Sequence, residues 1–394
     1  MLYPMKHIFA LSVIAIVIVV SAGFLITYQS ILDSTQARKN APIFVGVTFC
    51  GNTTDEGKIL VDRVASYTNL FIIDSIVVNK NESALTDLCN YIIAKGLHLI
   101  VYFGDFNLPW QLPWVNATQE RLGDMFLGVY YYDEPGGIQL DYNWQNNSNT
   151  IVPNFANTTR NYDLAAKTYI SNFQNYPNFK ALKNMSVTAF TSDYALYWFD
   201  YKAGFDVVLT QFGWNHSLTK EIDLSRAAAH IQNKSWGAII TWKYDNPPYL
   251  DSPDNIYSQM LLAYQSGAKY ISIFNYPTYP DDNAYGLMTD GHFEALQKFW
   301  KYITSKTIIE SDPDFSNAGA ALVLPQNYGF GMRRPDDRIW GFWGPDELSP
   351  KIWNVTQTLL AKYGLQLDIV YDDPDFPLGG RYTKIYMWNQ TVID

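Results

Sequence analysis

The stretch Gly128-Val129-Tyr130-Tyr131-Tyr132-Asp133-Glu134-Pro135 places two neighbouring carboxylic acids behind three tyrosines and stops them with a proline. In an aromatic pocket, desolvation and like-charge repulsion drive one member of such a pair toward its protonated form while the other stays ionised. That combination suits general acid/base chemistry. The architectural alternative is that Asp133 caps the following turn and Glu134 pairs with a basic residue. Other acids close apolar runs in the same way: Asp74, Asp105, Asp193 and Asp245. In the run Ala238–Asp245, strand alternation sets Thr241, Lys243 and Asp245 on one face, which polar Thr241 marks as an interior one.

These acids need elements to position them. Strand-like runs recur at 42–49, 69–75, 97–103, 125–132, 186–191, 206–211, 237–242 and 269–274. Apolar residues at three- and four-residue steps predict helices over 54–67, 82–95, 163–174, 217–232, 253–266 and 291–305, with weaker ones near 117–123 and 194–202. Eight strands alternating with helices match a (β/α)8 TIM barrel in order and length. A doubly wound sheet is the rival, but no Gly-rich turn follows the first strand. After residue 310 the rhythm changes. Strands at 320–324, 367–371 and 384–388 and a helix at 349–363 read as a small α/β appendage. The expected organisation is therefore 1–40 leader, 41–310 barrel and 311–394 C-terminal unit.

The Asp-Glu-Pro ending of the fourth strand resembles the Asn-Glu-Pro or Asp-Glu-Pro ending of many TIM-barrel glycoside hydrolases. The resemblance implies that Glu134 is the general acid/base and Asp133 the residue before it. A retaining enzyme of the commonest clan would also carry a nucleophilic Glu after strand seven. Here that strand has no Glu, so the second carboxylate is expected from Asp133, Asp193 or Asp245, with Asp74 and Asp105 as further strand-end candidates. A glycan substrate would find apolar platforms at strand ends and loops. Candidates are Trp110, Trp114, Tyr132, Trp214, Trp242, Tyr244 and Tyr276, with Lys243 as a polar contact. Phe103 and Tyr279 lie at similar positions. Trp110 and Trp114, flanked by Pro109 and Pro113, read as a loop walling a cleft. The alternative is a non-catalytic cell-surface protein that keeps the barrel for carbohydrate binding or envelope structure. No cofactor and no metal site is expected.

The run from Ile8 to Tyr28 carries no charge over 21 residues. A signal-peptide apolar region is about 7–15 residues and a spanning helix needs about 20, so an N-terminal transmembrane signal-anchor is the expectation. Ser21-Ala22-Gly23 keeps secretion after cleavage open. Ten Asn-x-Ser/Thr sequons occur, at Asn52, Asn81, Asn116, Asn146, Asn157, Asn184, Asn215, Asn233, Asn354 and Asn389. Chance gives roughly 3.5. The excess points to an exofacial, N-glycosylated body on a cell membrane. In that compartment the two cysteines, Cys50 and Cys89, are expected to form a disulfide.

Composition excludes other classes. Net charge is −10, from 28 basic and 38 acidic residues, so a nucleic-acid partner is not expected. Five histidines are scattered without zinc spacing, and there is no nucleophile elbow, phosphate loop or nicotinamide fingerprint. Arg333, Arg334, Asp336 and Asp337 read as a solvated charge cluster, with contact to a partner or to the barrel rim as the alternative.

Overall fold

The computed structural model describes residues 41, 43–141, 160–276, 283, 285–305 and 314–389. Eight parallel strands close a barrel in sequence order: β1 (Phe44–Phe49), β2 (Leu70–Ile73), β3 (His98–Tyr102), β4 (Phe126–Tyr130), β5 (Ala189–Asp193), β6 (Val207–Phe212), β7 (Ser235–Ile240) and β8 (Tyr270–Asn275). β8 returns to pair with β1, so no edge remains among these strands. The surrounding helices are α1 (Thr54–Val64), α2 (Glu82–Ala94), α3 (Gln111–Leu122), α4 (Pro135–Asp141), α5 (Tyr162–Asn175), α6 (Pro177–Asn184), α7 (Tyr197–Ala203), α8 (Leu218–Ile231), α9 (Pro253–Gln265) and α10 (Asp290–Thr304). Local chemistry sets several of their starts. Thr53 and Glu56 form a capping box on α1, and Ser252 caps α9 with Pro253 in its first turn.

Period-two alternation sorts the barrel side chains into two shells. Leu70, Ile72, Ile100, Tyr130, Phe190, Val207, Leu209, Ile239 and Tyr270 fill the interior. Val45, Val47, Phe71, Ile73, Val129, Val208, Ile240 and Ile271 face the helices. Thr48 and Ser272 share a 2.8 Å hydrogen bond between the two closing strands, satisfying two buried hydroxyls.

The C-terminal unit is a three-stranded parallel sheet, ordered β10 (Leu367–Tyr371), β9 (Ala320–Leu324), β11 (Lys384–Met387), with α11 (Ser349–Tyr363). It packs against the barrel through a buried charge cluster. Arg226 of α8, fully buried, donates to Asp368 at 2.7 and 2.9 Å, to the Leu367 carbonyl at 2.7 Å and to the Phe315 carbonyl at 2.9 Å. Lys202 adds a 2.6 Å ion pair to Asp373.

Four expectations change. The region around Trp110 and Trp114 is not a cleft wall, because α3 begins at Gln111, six residues before the predicted start. Pro113 sits in its first turn, where the missing N–H costs nothing. Only half of the Arg333–Asp337 cluster is solvated: Arg334 and Asp336 are exposed, whereas Asp337 is fully buried and Arg333 donates to it at 2.9 Å. Two helices, α4 and α6, are too short to leave a periodic signature. Cys50 and Cys89 are free thiols rather than a disulfide. Cys50 continues the inward row of Phe44, Gly46 and Thr48, whereas Cys89 packs in the outer shell on α2, so the wall of the barrel separates them.

The apolar run Ile8–Tyr28 and the sequons Asn146 and Asn157 lie outside the described residues. Among the described residues no helix is long and apolar enough to cross a membrane.

Candidate active site

At the C-terminal ends of the strands the inward rows converge on a cavity of about 340 Å³. Asp74, Tyr130, Ser192, Gln211, Ile239, Thr241, Phe274 and Tyr276 line it as the next inward positions of β2, β4, β5, β6, β7 and β8. Asp133 and Glu134 enter from the β4 loop, and Trp214 and Trp242 from the loops after β6 and β7. This volume falls within the range of small-molecule sites, about 300–1,000 Å³. Among the described residues no Lys or Arg lines it.

Glu134 is held with care. Its φ is +51°, a left-handed conformation that costs a non-glycine residue about 1–2 kcal/mol. Its N–H donates to the Ser192 carbonyl at 3.0 Å and its carbonyl accepts from Ile138, opening α4. Gln211 Nε2 donates to Glu134 Oε1 at 2.6 Å, which leaves Oε2 as the oxygen for a proton. Burial, and then the charge of Asp133, push the Glu134 carboxyl up to about 8. Asp133 is buried too and is raised by that burial, but it accepts from the Tyr130 and Ser192 hydroxyls, which favour its charged form. Asp74 is driven well above the usual carboxylate range by burial and by Asp133, with the Cys50 thiol 3.8 Å away. Burial without a cation among the described lining residues thus favours the protonated forms of Asp74 and Glu134, and the negative charge is best placed on Asp133, where two hydroxyls donate to it.

Asp193 has a different task. It occupies an outward position on β5, and its oxygens accept from the N–H groups of Gly136 (2.5 Å), Gly137 (2.9 Å), Tyr194 (2.7 Å) and Ala195 (3.1 Å). It caps α4, close beside Asp200 in a buried carboxyl pair. Glycine is required at 136 and 137, because a Cβ there would come within 2.4 Å of the Ala195 carbonyl and 2.1 Å of the Tyr194 ring. Asp245 is exposed and Asp105 likewise; neither lines the cavity.

Of the predicted contacts, Trp214, Trp242 and Tyr276 do line the cavity, their rings 6.1 Å apart in succession. Lys243 lines a neighbouring pocket of about 180 Å³ that shares Thr241, and pairs with Asp251 at 2.7 Å. Trp114 is a buried residue of α3, with its indole N–H on Thr86. Trp110 packs edge-on against Phe103 and Tyr132 against Phe173. Tyr244 is exposed away from the cavity, and Tyr279 lies outside the described residues. Sequence reasoning passed over Ser192 and Gln211, and read Tyr130 only as one of three tyrosines around Glu134. Their signal was strand parity: each sits on the inward row of its strand, and Asp193 does not. Among the described residues no cluster of His, Cys, Asp and Glu is arranged to hold a metal ion.

No family model matches the chain, and no curated protein matches it. Solved structures do. A family 5 glycoside hydrolase variant from Bifidobacterium longum, in complex with Manβ1-4GlcNAc, aligns with a TM-score of 0.53 at 10% identity over 89% of this chain and 99% of its own. The β-galactosidase of the Antarctic haloarchaeon Halorubrum lacusprofundi aligns with a TM-score of 0.58 at 12% identity over 88% of this chain and 69% of its own. A β-galactosidase from the psychrophilic Marinomonas ef1 gives 0.53 at 11% identity over 88% and 72%. At such identities the likeness is one of fold: this chain is built on the eight-stranded barrel that these glycoside hydrolases share.

Proposed function

We propose that this protein is a glycoside hydrolase acting on a neutral glycan. The observation that carries the reading is Glu134: a carboxyl held protonated to about 8, half-enclosed beside Asp133 in a cavity walled by Trp214, Trp242 and Tyr276. Hydrolysis of a glycosidic bond requires one protonated carboxyl to serve the leaving oxygen and a second, ionised one to support the oxocarbenium-like centre. Glu134 Oε2 gives the proton. Asp133, with its two hydroxyl donors, carries the negative charge, and Asp74 completes the acidic wall. The indoles offer flat apolar faces to a sugar ring. With three carboxyls and no cation on the wall, phosphorylated or acidic sugars are disfavoured. Release of reducing ends from a panel of neutral glycans tests the reading. Binding without hydrolysis anywhere on the panel would instead support the carbohydrate-binding alternative, which has its own observation in Thr241, where β7 carries no acid.

We propose further that the barrel works outside a membrane, anchored through the Ile8–Tyr28 run. The eight sequon asparagines among the described residues are all exposed, as glycan attachment requires. A need for detergent to extract the full chain from its host membranes, and a mass loss on enzymatic deglycosylation, are the expected results.

A further inference from the structure

We propose that the C-terminal unit is a working part of the site, its 331–343 loop positioning Glu134 by clamping the far end of the helix that Glu134 begins; the inference rests on the glycosidase reading above. Helix α4 has seven residues, about two turns, and an isolated helix so short is not stable in water. Glu134, at its head, also holds a left-handed backbone. The direction of the Glu134 carboxyl must therefore be imposed from outside the segment.

Two clamps do so. At the near end Asp193 takes the N–H groups of Gly136 and Gly137. At the far end the C-terminal unit takes over. The fully buried Gln139 donates to the Trp340 carbonyl at 2.8 Å. Arg333 grips Asp141 with both terminal nitrogens, at 2.6 and 2.8 Å. The same guanidinium is fixed from behind by Asp337, which accepts from Nε and Nη2 at 2.9 Å. Tyr194 ties the clamps together: its hydroxyl donates to Asp141 at 2.8 Å, Gly137 packs on its ring, and Arg333 lies 5.6 Å above that ring. A planar, bidentate guanidinium fixes orientation as well as distance, which a point charge does not.

Arg333→Ala would strand buried Asp337, so the discriminating variant is Asp141→Ala. It frees the helix end, removes a half-exposed side chain and keeps the Arg333–Asp337 pair. The expected plateau kcat falls about 10- to 100-fold, as small misplacements of a catalytic group do, with KM and melting temperature little changed. The groups facing Glu134 are Asp133, Asp193, Asp141 and Gln211, and its own charge acts on Asp74. Losing the Asp141 charge alone moves the basic limb of the pH profile downward without lowering the plateau. Asp141→Glu restores part of kcat, and exposed Arg334→Ala leaves it unchanged. Hydrogen exchange at the amides of residues 136–141 reads the clamp without any substrate, and faster exchange in Asp141→Ala is expected. An unchanged plateau kcat, or unchanged exchange, overturns the inference. If the wild type hydrolyses nothing, the glycosidase reading fails, and exchange still decides whether the clamp exists.

Discussion

At the barrel mouth Asp74, Asp133 and Glu134 share a cavity that no cation lines, whereas between α8 and the C-terminal sheet Asp223 and Asp368 close around Arg226. Both places withdraw carboxyl groups from water, and in both the charged form is costly. The mouth resolves that cost with protons and hydroxyl donors, which leaves a proton available for transfer. The second place resolves it with a guanidinium that also binds two backbone carbonyls, and its ions are locked in place. Burial alone therefore marks neither function nor structure. What decides is whether a cation or a proton satisfies the charge, and whether a cavity gives a ligand access to it.

Removing the proton donor has the largest expected effect. Glu134→Gln keeps the hydrogen bond from Gln211 within reach but gives nothing to a leaving oxygen, so turnover on an unactivated glycoside falls about 10²–10⁴-fold. Substrates with good leaving groups lose less in the first step. On the proposed reading, wild-type activity should decline as pH rises through about 8, the value to which burial and Asp133 push Glu134. The same group shapes stability. Its folded value lies above its ordinary 4.5, so its contribution is fully present below about 4.5 and is lost as pH rises through about 8. Melting curves of Glu134→Gln across that window should be flatter than those of the wild type. Equal losses on activated and unactivated substrates would make Glu134 structural and dissolve the contrast between the two regions.

Breaking the other region should destabilise without touching chemistry directly. Arg226→Ala leaves Asp223 and Asp368 buried without their cation, at a cost of about 3–5 kcal/mol in denaturant unfolding. The variant that still folds should keep its KM. A stability loss below about 1 kcal/mol would mean that water reaches the cluster, and the comparison would fail from that side.

The smallest effect is on the platform. Trp242→Ala removes one stacking face and should raise KM by the equivalent of about 0.5–1.5 kcal/mol while leaving kcat within a factor of two or so. A fall in kcat with unchanged KM would move Trp242 from binding to positioning.

Much of the barrel was legible because its elements are long and periodic. The predicted runs at 206–211 and 269–274 lie within a residue of β6 and β8, and 163–174 falls inside α5. Glu134 was legible for another reason: its motif is contiguous, so no fold is needed to see it. Asp193 and Asp245 were harder. Both follow strand-like runs, but Asp193 lies on the outward row of β5, and β7 ends at Ile240, so the alternation that placed Lys243 and Asp245 inward no longer applies. The two cysteines show the same limit. Their number and spacing suited a disulfide, yet one belongs to the inner shell and one to the outer.

The sequence by itself determined the alternation of strands and helices, the acidic and aromatic composition, and the Asp133-Glu134-Pro135 corner, because each is written in neighbouring residues. Only the tertiary structure decided which acids meet. Closing eight strands into a ring brings Asp74, Glu134 and Gln211 together across a span of 137 positions, and folding the last seventy residues back sets Arg333 against Asp141. Such pairings depend on the register and direction of whole elements, and a one-residue change of phase sends a side chain to the other face of its strand.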